Sequence, residues 1–146
     1  MSKSGIEKNI FKAYDIRGIV GESLDAFSVE LIGRSIGSEA VSQKQQTICV
    51  GYDGRLSSPE LCEALIKGLL STGIKVIDIG LVTTPMLYFS THFLETHSGV
   101  MITGSHNPPN YNGFKMMIAG ETISSNQIQS LYERIINQRF LTGYKG

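Results

Sequence analysis

The chain reads GVMITGSHNPPNYNGFKMMI from Gly99 to Ile118, two short apolar runs joined by a loop rich in glycine, asparagine and proline. The apolar runs predict two buried strands, and the short span between them predicts antiparallel pairing. The two prolines lack backbone N–H donors and restrict the residues before them, so they stiffen the loop. A stiff loop at the end of a strand is typical of a displayed reactive side chain, here Ser105.

Strand-like and helix-like segments alternate on both sides of this stretch. Apolar spacing and turn residues predict helices over about 25–42, 58–73 and 84–94, with Ser58 as a capping serine, strands over 47–51 and 74–80, and a last helix that begins at Ser124 or Ser125. Alternation of this kind indicates an α/β domain. We predict a three-layer α/β/α fold with a mixed, mainly parallel sheet of about four strands.

Composition and charge favour one domain with a small-molecule partner. The chain has 146 residues, enough for one hydrophobic core, and its 13 Lys+Arg balance its 13 Asp+Glu. No basic block suggests nucleic acid, and no apolar stretch suggests a membrane span. The polar start Met1-Ser2-Lys3-Ser4 lacks the apolar centre of a signal peptide. We expect a cytoplasmic protein that binds neither nucleic acid nor a membrane.

Several potentially reactive side chains outside the loop are expected to be structural. Cys49 and Cys62 have no CxxC spacing, which predicts buried thiols. His92 and His97 lie near no cluster of carboxylates or thiols with metal-site spacing, so we expect them to be structural or exposed.

Ser105 is the candidate nucleophile. A phosphate ester on serine is a durable carrier, because its uncatalysed hydrolysis is among the slowest reactions that enzymes accelerate. Phosphorylation adds about −1.5 to −2 charge at neutral pH, so cations and donors must lie nearby. His106, Asn107 and Lys115 are the nearest candidates in the sequence. On composition alone, ordinary turn chemistry stays open as the alternative.

The pattern T-G-S-H-N-P-P-x-Y-N-G-F-K resembles the active-site serine loop of the α-D-phosphohexomutases, most closely the bacterial phosphomannomutase/phosphoglucomutase branch. Two further signatures of that family are FKAYDIRG at 11–18 and GYDGRLSSPE at 51–60. The resemblance covers nearly the whole chain, although family members are longer and have further domains. It implies a flexible N-terminus over 1–8, a first, serine-loop domain over 9–141, and a linker or artificial chain end over 142–146, with the remaining domains absent.

The resemblance implies an isomerase of carbohydrate metabolism that works as an intramolecular phosphotransferase. A phosphoserine at Ser105 gives its phosphoryl group to mannose or glucose phosphate, which produces a sugar 1,6-bisphosphate. This bisphosphate is both the intermediate and an activator, and it returns its other phosphoryl group to Ser105. Hexose 6-phosphate and hexose 1-phosphate are thereby interconverted. Mg²⁺ is the implied cofactor, bound in part through the phosphate on Ser105 and otherwise by an aspartate-rich loop of another domain. The implied partners are hexose phosphates and the other domains, and the isolated domain is expected to be inactive.

Residue roles follow from the same resemblance. It implies catalytic roles for Ser105, His106, Lys115 and Arg17, with Arg17 in a loop, and substrate contacts for Tyr14 and Asn107. His106 as a proton carrier and His106 as a residue that orients Ser105 stay open, as does a packed structural role for Tyr14. Lys115 is the other candidate for handling the proton.

The pair Asp53 and Arg55 has no evident reacting partner in the sequence. We interpret it as a turn-stabilising pair or an anchor for a loop.

Three other functions are weighed against this one. A phosphoglucosamine mutase would usually carry alanine where Gly104 stands. A non-catalytic sugar-phosphate-binding or phosphoacceptor module is suggested by the lack of clustered carboxylates. A hydrolase using Ser105 and His106 would lack both the G-x-S-x-G elbow and an acid placed to orient the histidine.

Overall fold

A computed structural model of the chain describes residues 6–13, 15–104, 108 and 110–141. A 3-10 helix, Lys8–Ile10, precedes an alternation of strands and helices. The elements are β1 Ile16–Ile19, α1 Ala26–Ser42, β2 Thr47–Tyr52, α2 Ser58–Leu70, β3 Lys75–Leu81, α3 Thr84–Phe93, β4 Gly99–Ile102, β5 Tyr111–Ile118, β6 Glu121–Thr122 and α4 Ser125–Ile136.

One mixed sheet contains the 6 strands of the described residues, in the order β1-β5-β4-β2-β3, with β6 paired to β5. β2 pairs in parallel with β3 and β4, whereas β5 pairs antiparallel with β1, β4 and β6. The α/β class, the mixed sheet and the antiparallel pairing around the loop are confirmed. The expected number of about four strands is wrong, and parallel pairing is limited to β2 and its two neighbours.

Two short strands account for the miscount. β1 has 4 residues and β6 has 2, and within the sheet both pair with β5. β1 includes Arg17 and Gly18, residue types that do not mark a strand by pattern. It forms because β5 offers it an unpaired edge. Arg17, which we expected in a loop, therefore lies within a strand.

Each face of the sheet carries its own hydrophobic core. The larger core packs α1, α2 and α4 against side chains such as Val50, Val100 and Phe114. The smaller core packs Leu87 of α3 against Cys49 and Met101 on the opposite face. Helices thus cover both faces, which confirms the three layers.

The chain ends differ in how much of them is described. Ile6, within the 1–8 segment, is fully buried in the larger core. Residues 1–5 and 142–146 lie outside the described residues, so the flexible terminus and the linker stay predictions.

Capping residues define where three of the helices begin. Asp25 precedes α1 and accepts a hydrogen bond from an N–H of the first turn at 2.8 Å. Thr83 precedes α3 and does the same at 3.3 Å. Ser124 precedes α4, in agreement with the sequence. Short polar side chains at these positions satisfy donors that the helix leaves unpaired.

The start of α2 differs from the expectation. The residue before the helix is Ser57, not Ser58, and its side chain makes no capping bond. Ser58 is the first helical residue, and its hydroxyl donates instead to Asp53 at 2.9 Å. The first turn of α2 is thereby bonded to the loop that precedes it.

The cysteines and histidines outside the loop behave as predicted. Cys49 and Cys62 are buried free thiols, and His92 and His97 are exposed. Burial, helped by the negative charges of two nearby carboxylates, raises the pKa of Cys62 to about 12, so this thiol stays protonated at neutral pH.

None of the helices in the described ranges is long and apolar enough to cross a bilayer.

Candidate functional site

The serine loop, residues 103–110, leaves the end of β4 and returns in β5. The Thr103 N–H donates to the Gly113 carbonyl at 2.9 Å, which continues the pairing of the two strands into the loop. Ser105, His106, Asn107, Pro109 and, in the N-terminal motif, Tyr14 lie outside the described residues. The structure therefore defines the two ends of the serine loop and the strands beneath it.

Arg17, on β1, lies on the line of paired residues that runs across the sheet to Thr103, the first residue of the serine loop. Arg17 pairs with Gly113 of β5, and Gly113 in turn bonds to Thr103 at the end of β4. Because neighbouring strands are about 4.8 Å apart, the backbones of Arg17 and Thr103 are separated by about 10 Å.

Gly113 leaves room for the Arg17 side chain between these positions. A Cβ at position 113 would lie 3.0 Å from Cγ of Arg17 and would collide with the carbonyl oxygen of Ile16. The arginine side chain therefore lies against bare backbone of β5. Its Nε atom is buried, 3.4 Å from Oδ1 of Asp15, while the side chain as a whole is 38% exposed.

Lys115 points to the same face of the sheet as Arg17. It lies two residues beyond Gly113 on β5 and pairs with Met101 of β4, whose side chain packs in the smaller core. Directly opposed residues and alternate residues share a face, so Arg17, Gly113 and Lys115 are on one side. As diagonal neighbours, Arg17 and Lys115 have backbones roughly 7–8 Å apart. None of the ion pairs among the described residues involves Lys115.

Two cavities open at the ends of the serine loop. One, of about 280 Å³, is lined by Lys12, Arg17 and Tyr111 among others. The other, of about 490 Å³, lies between Asp53 and Thr103 on one side and the start of α3 on the other. Space for a small ligand therefore exists on both sides of the loop, and two cations line the first cavity.

Asp53 joins the start of the serine loop to the end of β2. Its Oδ2 accepts the Gly104 N–H at 3.1 Å, and its Oδ1 accepts the Arg55 N–H at 3.1 Å and the Ser58 hydroxyl at 2.9 Å. Burial by itself raises the pKa of Asp53, but these bonds and one from the Thr103 side chain lower it below its ordinary value of 3.8. Asp53 is therefore an ionised acceptor at neutral pH.

Arg55 holds the far end of the same loop. Its Nη1 donates to the Pro108 carbonyl at 2.6 Å and to the Tyr111 carbonyl at 3.2 Å, and its Nε lies 3.7 Å from Oδ2 of Asp53. One charged pair on the turn after β2 thus contacts both ends of the serine loop. The interpretation of Asp53 and Arg55 as a loop anchor is confirmed.

Asn112 is a site residue that the sequence analysis missed. Its side chain is fully buried, and Nδ2 donates to the hydroxyls of Ser57 at 2.9 Å and Ser58 at 3.0 Å. Its Oδ1 accepts the Gly113 N–H at 2.9 Å. An asparagine before glycine is typical of a turn, so the sequence pattern does not indicate a buried, bonding side chain at this position. The available signal was that Asn112 and the two serines all lie in the matched motifs.

The described part of the chain offers no ready metal site. It contains no group of three or more histidine, cysteine, aspartate or glutamate side chains that could hold a metal ion. The nearest carboxylate to the serine loop, Asp53, already uses both oxygens for hydrogen bonds.

Known proteins resemble this chain over almost its full length. Residues 8–142 match the family model for phosphoglucomutase/phosphomannomutase, alpha/beta/alpha domain I. A phosphomannomutase/phosphoglucomutase of Pseudomonas aeruginosa is 53% identical over 135 residues, which cover 92% of this chain and 29% of that protein. A phosphoglucomutase of Neisseria gonorrhoeae is 49% identical over 142 residues, which cover 97% of this chain and 31% of that protein.

Solved structures agree with these matches. A phosphoglucomutase/phosphomannomutase family protein from Burkholderia thailandensis superposes with a TM-score of 0.90 at 48% identity, covering 94% of this chain and 32% of that one. The chain spans less than a third of the length of each of these three relatives. Fold, motifs and identity together show that the chain belongs to the phosphoglucomutase/phosphomannomutase family, as its α/β/α domain I.

Proposed function

We propose that this chain is the serine-bearing domain of an enzyme that interconverts hexose 6-phosphate and hexose 1-phosphate, with mannose and glucose phosphates as substrates. The observation that supports it most is the placement of Arg17 and Lys115 on one sheet face at the base of the loop that contains Ser105. The names of the relatives from Pseudomonas aeruginosa and Neisseria gonorrhoeae support the same reaction class.

In the proposed reaction, the phosphoryl group on Ser105 moves to the free hydroxyl of a hexose monophosphate. A bond forms between the sugar oxygen and phosphorus as the bond from phosphorus to Oγ of Ser105 breaks. The proton of the sugar hydroxyl passes to Oγ by way of His106 or Lys115. The bisphosphate then reorients, a bond forms between Oγ of Ser105 and the phosphorus of the other phosphoryl group, and the bond from that phosphorus to the second sugar oxygen breaks. The proton of Oγ passes to this second sugar oxygen. The net change is isomerisation.

Charge supports the assignment of Arg17 and Lys115 to this reaction. A phosphoserine brings about −1.5 to −2 charge, and the transferring group spreads negative charge over its oxygens. The guanidinium of Arg17 offers a planar fork for phosphate oxygens, and the ammonium of Lys115 offers a compact charge. Tyr14 and Asn107 complete the proposal as contacts to the sugar phosphate.

The proposal includes Mg²⁺, held by the phosphate on Ser105 and by ligands from other parts of the protein. When bound, such an ion neutralises charge on the transferring phosphoryl group. The residues described here do not provide a ligand set for it, and the proposal assigns them only the phosphate on Ser105. The other ligands are proposed to come from a further domain, and no step above is derived through the ion.

A specific observation bears on each of two alternatives. A phosphoglucosamine mutase shares the reaction type, but here a Cβ at Gly104 would collide with the Arg55 guanidinium, which favours the glycine-bearing branch. A non-catalytic sugar-phosphate-binding module is consistent with a chain that spans 29% of the length of the Pseudomonas aeruginosa relative.

A turnover assay of the full-length protein tests the proposal. Conversion of glucose 1-phosphate and mannose 1-phosphate to the 6-phosphates is followed by coupled enzymes, with glucosamine 1-phosphate as the competing substrate. We expect Ser105→Ala to lower kcat by on the order of 10⁴-fold or more, because a covalent nucleophile is lost. The matched control is Ser130→Ala on α4, where the exposed hydroxyl bonds only within its helix.

The outcomes separate the candidates. Turnover by the wild type that survives in Ser105→Ala contradicts the phosphoserine route. Exclusive use of glucosamine 1-phosphate favours the first alternative, and binding of hexose phosphates without turnover favours the second. The 146-residue chain by itself is expected to be inactive.

A further inference from the structure

The serine loop is bonded at both ends to one turn elsewhere in the sequence. That turn, residues 53–57, follows β2, and the loop follows β4, which is the parallel neighbour of β2. Parallel strands end at the same edge of a sheet, so the two connections meet there. We infer that Asp53 and Arg55 are positioning residues, which fix the place of Ser105 for phosphoryl transfer without touching the reacting atoms; the catalytic half of this inference rests on the proposed function.

The carboxylate of Asp53 divides its two oxygens between two segments. Oδ1 accepts the Arg55 N–H and the Ser58 hydroxyl, which orders the turn itself. Oδ2 accepts the Gly104 N–H at 3.1 Å, one residue before Ser105. An asparagine presents one oxygen and one NH₂ group, so it cannot accept on both sides. Asp53→Asn must therefore break either the turn or its bond to the serine loop.

The guanidinium of Arg55 supplies donors that the loop lacks. Pro108 and Pro109 have no N–H, so the middle of the loop has few backbone donors of its own. Nη1 of Arg55 donates to the Pro108 and Tyr111 carbonyls, and its side chain is only 16% exposed. A lysine would keep the charge but lose the planar fork.

Two further features of the site support a positional role. The side chain of Asn112 bonds to the hydroxyls of Ser57 and Ser58, so the turn is also held from the buried face of β5. The bare backbone of Gly104 lets the Arg55 guanidinium approach closely, since a Cβ there would lie 2.6 Å from Nη1. An anionic Asp53 would repel a phosphoserine, and the nearby guanidinium offsets that charge. The pair therefore orders the loop and adds little net charge to the site.

Amide hydrogen exchange of the 146-residue chain tests the structural half. We expect Asp53→Asn to speed exchange at Gly104, and Arg55→Lys to speed it at Tyr111, whose N–H bonds to Pro108 within the loop. The matched controls are Asp78→Asn, where the carboxylate accepts a glycine N–H at 2.9 Å on β3, and Arg34→Lys on α1. The controls should leave both amides unchanged. Unchanged exchange at Gly104 and Tyr111 in the site variants would overturn the inference.

Kinetics of the full-length protein test the catalytic half. We expect each site variant to lower kcat by roughly 10- to 100-fold, the scale of a misplaced reacting group, with little change in KM. The assay is run below the unfolding temperature of every variant, so that a loss of folded protein does not mimic the effect. Faster exchange with unchanged kcat would overturn the positional role in catalysis.

The two proposals fail in different ways. A wild-type protein that transfers no phosphoryl group contradicts the proposed function, and the exchange experiment still decides whether the pair orders the loop. An active wild type whose site variants match the controls contradicts the inference alone.

Discussion

Arg17 and Lys115 are two cations held on one face of a sheet without a carboxylate between them on β5. They lie diagonally across the β1–β5 pair, and the residue between them on β5 is the glycine opposite Arg17. The Asp15 carboxylate, 3.4 Å from Nε of Arg17, offsets part of the repulsion between these two like charges. At the scale of residues, the base of the serine loop therefore carries two cations on one sheet face, and their binding of a phosphate group stays a prediction.

Asp53 leads to a prediction about stability and pH. Its pKa is lowered by folding, so its carboxylate stabilises the fold fully above the ordinary value of 3.8 and loses this effect as pH falls through the lower folded value. We expect Asp53→Asn to lower the free energy of unfolding at neutral pH by about 1 kcal/mol or more, the scale of a lost hydrogen bond. The loss should shrink below pH 3.8.

Denaturant unfolding over a range of pH measures this difference, with Asp78→Asn as the control. A destabilisation that stays constant down to acid pH would argue against an ionised Asp53 in the fold.

At this scale the sequence indicated which residues are candidates for the site, although it missed Asn112, and it did not indicate their partners. Arg17, Lys115, Asp53 and Arg55 all lie in short motifs that are legible in the sequence. The bond from Asp53 to Gly104 spans 51 residues, and the bond from Arg55 to Pro108 spans 53. Contacts of this separation depend on which strands become neighbours, and local pattern does not carry that information.

At the scale of elements, the helices were predictable and the shortest strands were not. Apolar spacing and caps define α1, α3 and α4, because both signals are local. β1 and β6 have too few residues for a pattern and form because β5 offers them an edge. The start of α2 was misassigned by one residue, since a serine that caps and a serine that bonds to Asp53 look the same in sequence.

The crossing of α1 and α2 leads to a second stability prediction. Gly33 and Gly68 face each other there, and a Cβ at Gly68 would lie 2.8 Å from the backbone nitrogen of Arg34 and 3.0 Å from Cα of Gly33. Helix propensity alone would make alanine more stable than glycine by about 1 kcal/mol. We expect the opposite sign for Gly68→Ala, a loss of about 1–3 kcal/mol, because overpacking pushes two backbones apart.

Urea unfolding of Gly68→Ala beside Ser130→Ala, an exposed change on α4, measures this effect. A Gly68→Ala protein more stable than the wild type would show that the two helices are not in close contact.

At the scale of the whole molecule, the parts of the site lie together at one edge of the sheet. The loops after β2 and β4 meet because these strands are parallel neighbours, and β1 and β5 bring Arg17 and Lys115 beside them. The class of fold could be predicted from the alternation of strands and helices. The strand order, in which β5 lies in the half of the sheet that pairs antiparallel, could not be predicted. The chain provides the serine loop and its support, and it matches 29% of the length of the Pseudomonas aeruginosa relative.

The central claim is that Ser105 accepts a phosphoryl group, and tandem mass spectrometry of the full-length protein tests it most directly. The protein is incubated with glucose 1,6-bisphosphate and Mg²⁺, digested and searched for phosphopeptides, beside Ser105→Ala and Ser130→Ala. The account predicts a phosphoryl group on Ser105 in the wild type and in Ser130→Ala, and none in Ser105→Ala. An equal phosphoryl adduct in Ser105→Ala, or an active wild type that never shows phosphate on Ser105, would contradict it.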